Sequence, residues 1–170
     1  MLRIYLTNLG KYNEGILQGE WLELPATDEE IESCKERIGI NDHYEEMFIT
    51  DYESDVNGLK VDEFDNLDEL NELAEAIEDN TELAEALIYF GYDTAQEIRD
   101  NIDNVTYCTT TEGSETEEFA IGYYYAKECG CLNIPEEIES YFDFDAYGRD
   151  IMLEGQFFVN ENGDIYEFIA

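Results

Sequence analysis

Basic residues are scarce. Eight Lys and Arg stand against 44 Asp and Glu in 170 residues, and histidine occurs once, as His43. Cations so few and scattered disfavour direct binding to nucleic acid or to an anionic membrane, both of which draw on clustered positive charge. A lone histidine excludes a two-histidine zinc motif, and His43 reads as an ordinary surface side chain. No run of apolar residues is long enough for a transmembrane helix. Met1-Leu2-Arg3-Ile4-Tyr5-Leu6 lacks the apolar stretch of a secretion signal and reads as a strand, so a cytoplasmic location is expected. The four cysteines, Cys34, Cys108, Cys129 and Cys131, show no disulfide-framework spacing and are expected to be reduced. Cys129-Gly130-Cys131 has neither zinc spacing nor a second pair, and no glycine-rich phosphate loop occurs. No pair of carboxylates can be singled out as glycosidase-like among so many. The expectation is a protein that is not an enzyme and needs neither cofactor nor metal.

Negative charge is plentiful. The formal charge is −36, yet 44% of residues are hydrophobic and 14% aromatic, with thirteen Tyr and nine Phe. Chains this acidic are usually disordered because they bury too little apolar surface. This one carries enough to fold against its own repulsion. The natural user of such a charge is a partner with a large positive surface.

Residues 1–61 read as a small mixed α/β domain. Arg3–Thr7 is a strand, Asn8–Gly15 a turn, and Gly19–Leu24 alternates with the period of a half-buried strand. Thr27-Asp28-Glu29-Glu30 is a capping box opening a helix that ends at Gly39, and Glu46–Thr50 is a third strand. Residues 62–104 read as an acidic, all-helical domain. Leu67, Leu70, Leu73 and Ile77 recur at helical spacing. A second helix capped by Asn80 or Thr81 holds Leu83, Leu87 and Ile88 and ends before Gly91. A third runs from Asp93-Thr94 to Asn101. This stretch has fifteen acids and one base, Arg99. Residues 105–170 return to α/β: a strand at Val105–Thr109, a helix capped by Ser114 and stopped by Gly130, a short helix over Glu136–Tyr141 behind Pro135, and a hairpin around Asn162-Gly163. The fold class expected is α+β in three parts.

Gly58 sits at the sixth position of a calcium-loop frame over Glu53–Phe64, but Glu53, Lys60 and Phe64 break the frame; the segment reads as a polar connection. The charge can be sized instead. At one phosphate charge per ~1.7 Å of axis, −36 matches ~60 Å of duplex DNA, and a dimer roughly 120 Å. Acids three or four apart on a helix lie about 5–6 Å from one another, so Glu69, Glu72, Glu75 and Asp79 form an ordered anionic row. Carboxylates, like phosphates, accept paired bonds from Arg. Such rows suit a mimic of DNA; they also suit a solvated face adapted to salt.

Three blocks carry a family resemblance. Asn8-Leu9-Gly10-Lys11-Tyr12-Asn13-Glu14-Gly15, followed by Trp21 and Leu24-Pro25, resembles the opening of the ArdA-type antirestriction proteins. So do Ile38–Glu46 and Asp51-Tyr52-Glu53. Tyr141-Phe142-Asp143-Phe144-Asp145-Ala146-Tyr147-Gly148-Arg149-Asp150 resembles the family's C-terminal signature. The resemblance implies a non-catalytic DNA mimic, carried on mobile elements, that occupies the DNA groove of type I restriction-modification enzymes at their methyltransferase core. It implies an elongated chain of three small domains that dimerises through the last. On that footing the partner-facing acids are Asp62, Glu63, Asp65, Asp68, Glu69, Glu72, Glu75, Glu78, Asp79, Glu82, Glu85, Asp93, Glu97 and Asp100. The homodimer contact falls on the helix Glu118–Glu128, through Phe119, Tyr123, Tyr124 and Lys127. Arg149 is expected in an internal ion pair. A nucleoid protein or a CRISPR nuclease is the alternative target.

Overall fold

Alternating apolar residues build the first sheet. In β1 (Leu2–Asn8), Leu2, Ile4 and Leu6 point to one face and are at most 2% exposed. β1 is the central strand, paired antiparallel with β2 (Gly19–Leu24) and β3 (Met47–Ser54). The structure, a computed structural model, describes residues 1–169. It is α+β, with two three-stranded antiparallel sheets and eight α-helices. Its contacts divide the chain into two compact units, Met1–Ile102 and Asp103–Ala170.

In the first unit, α2 (Asp28–Ile38) packs on β1 and β2, burying Ile31, Cys34 and Ile38. Thr27 and Glu30 form the expected reciprocal capping box. Gly39 ends the helix at φ +82°, a left-handed position that a side chain would strain. β3 runs four residues beyond the expected Thr50, because Asp51–Ser54 continue the ladder on β1. The expected turn after β1 contains a one-turn helix, α1 (Leu9–Asn13), capped by Asn8. Asn8 is fully buried; its amide donates to the Ile38 and Gly39 carbonyls and its oxygen accepts the Lys11 N–H. The acidic helices α3 (Leu67–Ile77), α4 (Thr81–Tyr89) and α5 (Ala95–Asn101) belong to this same unit. Asn71 of α3 bonds both the Ala26 N–H and the Ala26 carbonyl, at 2.7 and 3.0 Å, tying α3 to the end of β2. The segment between β3 and α3 buries Val56 and Leu59, a connection with its own apolar anchors.

The second unit has the sheet β4-β6-β5, formed by β4 (Val105–Thr110), β6 (Asp164–Phe168) and β5 (Gln156–Val159). The β5–β6 hairpin turns at Asn162-Gly163, with Asn160 accepting the Asn162 and Asp164 N–H groups. The cap of α6 (Glu117–Tyr123) is Thr116 rather than Ser114: the Thr116 hydroxyl accepts the Phe119 N–H, while the Ser114 N–H closes a turn on Thr111. After Tyr123 the helix widens into a π-turn, Tyr124–Glu128. α7 (Glu136–Glu139) is shorter than expected, and Pro135 holds its cap position. The sequence pattern missed α8 (Phe144–Glu154), capped by Asp143. It packs on α6 at the closest helix crossing in the unit, where Cβ atoms on Gly122 and Gly148 would collide with the carbonyls of Phe144 and Glu118. Ala120, Ile121 and Ile165 centre the core, with Tyr125, Ile151, Met152, Phe157 and Val159 around them.

Candidate partner-binding surface

The helix α3 separates apolar from acidic residues by its own period. Leu70, Leu73, Ala74 and Ile77 are buried, and Asn66 caps the helix by accepting the Asp68 and Glu69 N–H groups. At about 100° per residue, Asp68, Glu72 and Glu75 fall within about 60° of arc on the opposite side, spread over about 10 Å of axis, and Asp79 follows in the turn after the helix. All four are exposed. The row therefore begins at Asp68; Glu69, expected in it, is half-buried. Glu78, beyond the helix, is exposed as well.

The neighbouring helices place the other acids. In α4, Glu82 is exposed, while Glu85 is half-buried and accepts the backbone and side-chain N–H groups of Asn57. Asn80 occupies the cap of α4, but its side chain donates backwards to the Ala76 carbonyl, leaving no side-chain cap. Thr94 and Glu97 cap α5 reciprocally. Asp62, Glu63 and Asp65 lie before α3; Asp65 accepts the Asp62 N–H, and Glu63 is exposed.

Few positive charges oppose these acids. Arg99 on α5 donates to Glu72 at 2.8 Å and to Asp100 at 3.1 Å, bridging α3 and α5. The bond to Asp100 is the main cause that raises its pKa and keeps it cationic. Lys60 is paired with Asp93. The side chains of Asp68, Glu75, Glu78, Asp79 and Glu82 have no hydrogen bond or ion pair among the described residues. An arrangement of this kind attracts cations; among the described residues no three His, Cys, Asp or Glu side chains are placed to hold a metal ion.

The aromatic helix of the second unit divides its residues between two environments. Phe119 stacks on Tyr123, and both pack on Phe144 of α8, with centroids 5.4–5.5 Å away. Tyr123 keeps 37% of its surface exposed. The π-turn sends Tyr124 towards Cys129, whose hydrogen bond is the first cause of the raised Tyr124 pKa. Lys127 donates to Glu139 at 2.6 Å. Arg149 lies exposed on α8 with no ion pair among the described residues, against the expectation of an internal one; Gly148 beside it is what faces α6.

The sequence profile of the antirestriction proteins (ArdA) matches residues 4–166, nearly the whole chain and all three of its resembling blocks. The chain belongs to the ArdA antirestriction family. A search of curated proteins returned no match. Membership makes antirestriction the function and restriction-modification enzymes the class of partner, and the family is one of inhibitors rather than a known enzyme family. No helix of the described residues is long and apolar enough to cross a membrane. The family's blocks acquire physical roles here: Asn8 pins the α1 loop, Gly39 ends α2, and Gly148 admits α6.

Proposed function

We propose that the chain inhibits type I restriction-modification enzymes as a mimic of DNA, seating its carboxylates where the methyltransferase core receives phosphates. The observation that carries this reading is the exposed row Asp68, Glu72, Glu75 and Asp79, held on α3 and the turn that follows it and largely unneutralised. An ordered row pairs with Lys and Arg at defined spacing, as a phosphate backbone does. The three-part division 1–61, 62–104 and 105–170 is a functional one: the middle helices carry the densest charge, fifteen acids to one base. Two copies joining through α6, with the exposed Tyr123 at the contact and Phe119, Tyr124 and Lys127 around it, would double the footprint. Action on such an enzyme places the protein in the cytoplasm.

The test is a titration of the protein into a preformed complex of a type I methyltransferase core and labelled duplex. Displacement near equimolar amounts at physiological salt is expected. The variant Asp68→Asn/Glu72→Gln/Glu75→Gln/Asp79→Asn should displace about tenfold or more weakly and with a flatter salt dependence, since each lost pair removes released counterions. No displacement by the folded parent would redirect the search to other DNA-binding proteins.

A further inference from the structure

The acidic helices leave one region of the first unit unexplained. The sheet face opposite Leu2, Ile4 and Leu6 carries aromatic side chains. Cross-strand partners place Tyr5 beside Trp21, and Thr7 beside Phe48, on that face. Tyr5 and Trp21 meet edge to face with centroids 5.3 Å apart. Tyr12 of α1 packs edge-on against Phe48 at 5.2 Å, and Phe64 stacks on Phe48 from the other side at 6.1 Å. A backbone bond from Ile49 to the Glu63 carbonyl, 2.8 Å, holds the Phe64 segment against β3. Between these rings lies a groove of about 370 Å³, lined by Tyr5, Tyr12, Leu17, Phe48, Thr50 and Glu63 among others. Leu17 and Tyr12, which both line it, are 81% and 45% exposed, and Phe64, stacked on Phe48, is 70% exposed. Side chains of this size left in water beside one another are the mark of an interaction surface.

Charge narrows the occupant. Glu23, Asp51 and Glu53 stand on the same face of the sheet, and Glu63 lines the groove. Arg3, on the same face, is taken up by Glu53 and by the Trp21 ring, 4.8 Å from its centroid. A second copy of this chain would bring the same acids against these, and like charges oppose that docking. We infer that this groove takes an apolar side chain flanked by Lys or Arg, on a protruding segment of the basic protein that the acidic helices engage. The inference rests on the proposed mimicry. It adds a contact of another kind: apolar burial is insensitive to salt, whereas the carboxylate pairs weaken as salt rises. The groove also discriminates among basic proteins, because it needs a shape as well as a charge.

The variant Leu17→Ser/Phe64→Ser tests it, both side chains being exposed enough to change without opening the core; circular dichroism verifies the fold. Displacement of labelled duplex from the methyltransferase core is measured for parent and variant over a range of salt. The variant should displace about tenfold more weakly, the scale of losing one or two buried apolar side chains. Its slope against log salt should match the parent's, unlike the slope of the four-acid variant. Equal displacement by parent and variant at every salt overturns the inference while leaving the mimicry reading intact. A parent that displaces nothing removes the mimicry reading and the inference with it. A shift in sedimentation between parent and variant alone would assign the groove to self-association and overturn the inference.

Discussion

Asn8 and Glu167 do more at the residue scale than any exposed acid. Asn8 satisfies three backbone groups of two different segments, and so turns the chain from β1 into α1 in a fixed direction. Glu167 reaches in from β6 and accepts a bond from the Tyr125 hydroxyl, with Cys108 Sγ 3.9 Å away. Burial, then the Glu167 charge, pushes the Cys108 thiol from 9.0 up to about 12. The folded thiol therefore holds its proton where the unfolded one has lost it. Stability from this group is complete below about pH 9 and is lost as pH rises towards 12. Urea midpoints measured from pH 8 to 11 should fall, and Cys108→Ala should make that fall shallower. Iodoacetamide at pH 8 should label Cys129 and Cys131, which are exposed, within minutes, and reach Cys34 and Cys108 only after unfolding. Rapid native labelling of Cys108 would contradict the assigned burial.

At the scale of elements, the α6–α8 crossing is the most demanding contact. Neither Gly122 nor Gly148 has room for a methyl group, since each faces the backbone of the other helix. Backbone atoms cannot rotate away as side chains do. Gly148→Ala should cost about 3 kcal/mol or more, a drop of roughly 6–12 °C in Tm for a chain of this size. A melt unchanged from the parent would mean the helices do not meet there. The same contact explains why α8 escaped the sequence pattern. A mid-helix glycine and a run broken by Asp145, Arg149 and Asp150 obscure its period. The glycine is there for the neighbour, not for the helix. Helices α2, α3 and α5 were legible because their caps and apolar spacing are local: Thr27 with Glu30, Thr94 with Glu97, and the stripe from Leu70 to Ile77. The cap of α6 was misread because Ser114 and Thr116 are chemically alike. Thr116 has Asp145 of α8 as an added partner, which no local pattern reports.

For the whole molecule, self-repulsion among the acids opposes folding. With −36 charges and few cations, screening should stabilise every folded form. Raising NaCl from about 10 mM to about 1 M shortens the screening length from about 30 to about 3 Å, and Tm should rise by several degrees. Calcium at matched ionic strength should add little beyond this. A sharp calcium-specific rise would contradict the reading of Glu53–Phe64 as a plain connection.

Composition and local pattern sufficed for the α+β class, the acidic helices and the hairpin at Asn162-Gly163, because charge, capping and periodicity reside in neighbouring residues. Family blocks extended that to antirestriction. Two things needed the folded chain. Asn71 joins the acidic helices to the first sheet. Tyr5, Tyr12, Leu17 and Phe48 gather at one groove from four separate segments. Each depends on partners far apart in the chain, and local sequence carries no record of which distant side chain a residue will meet.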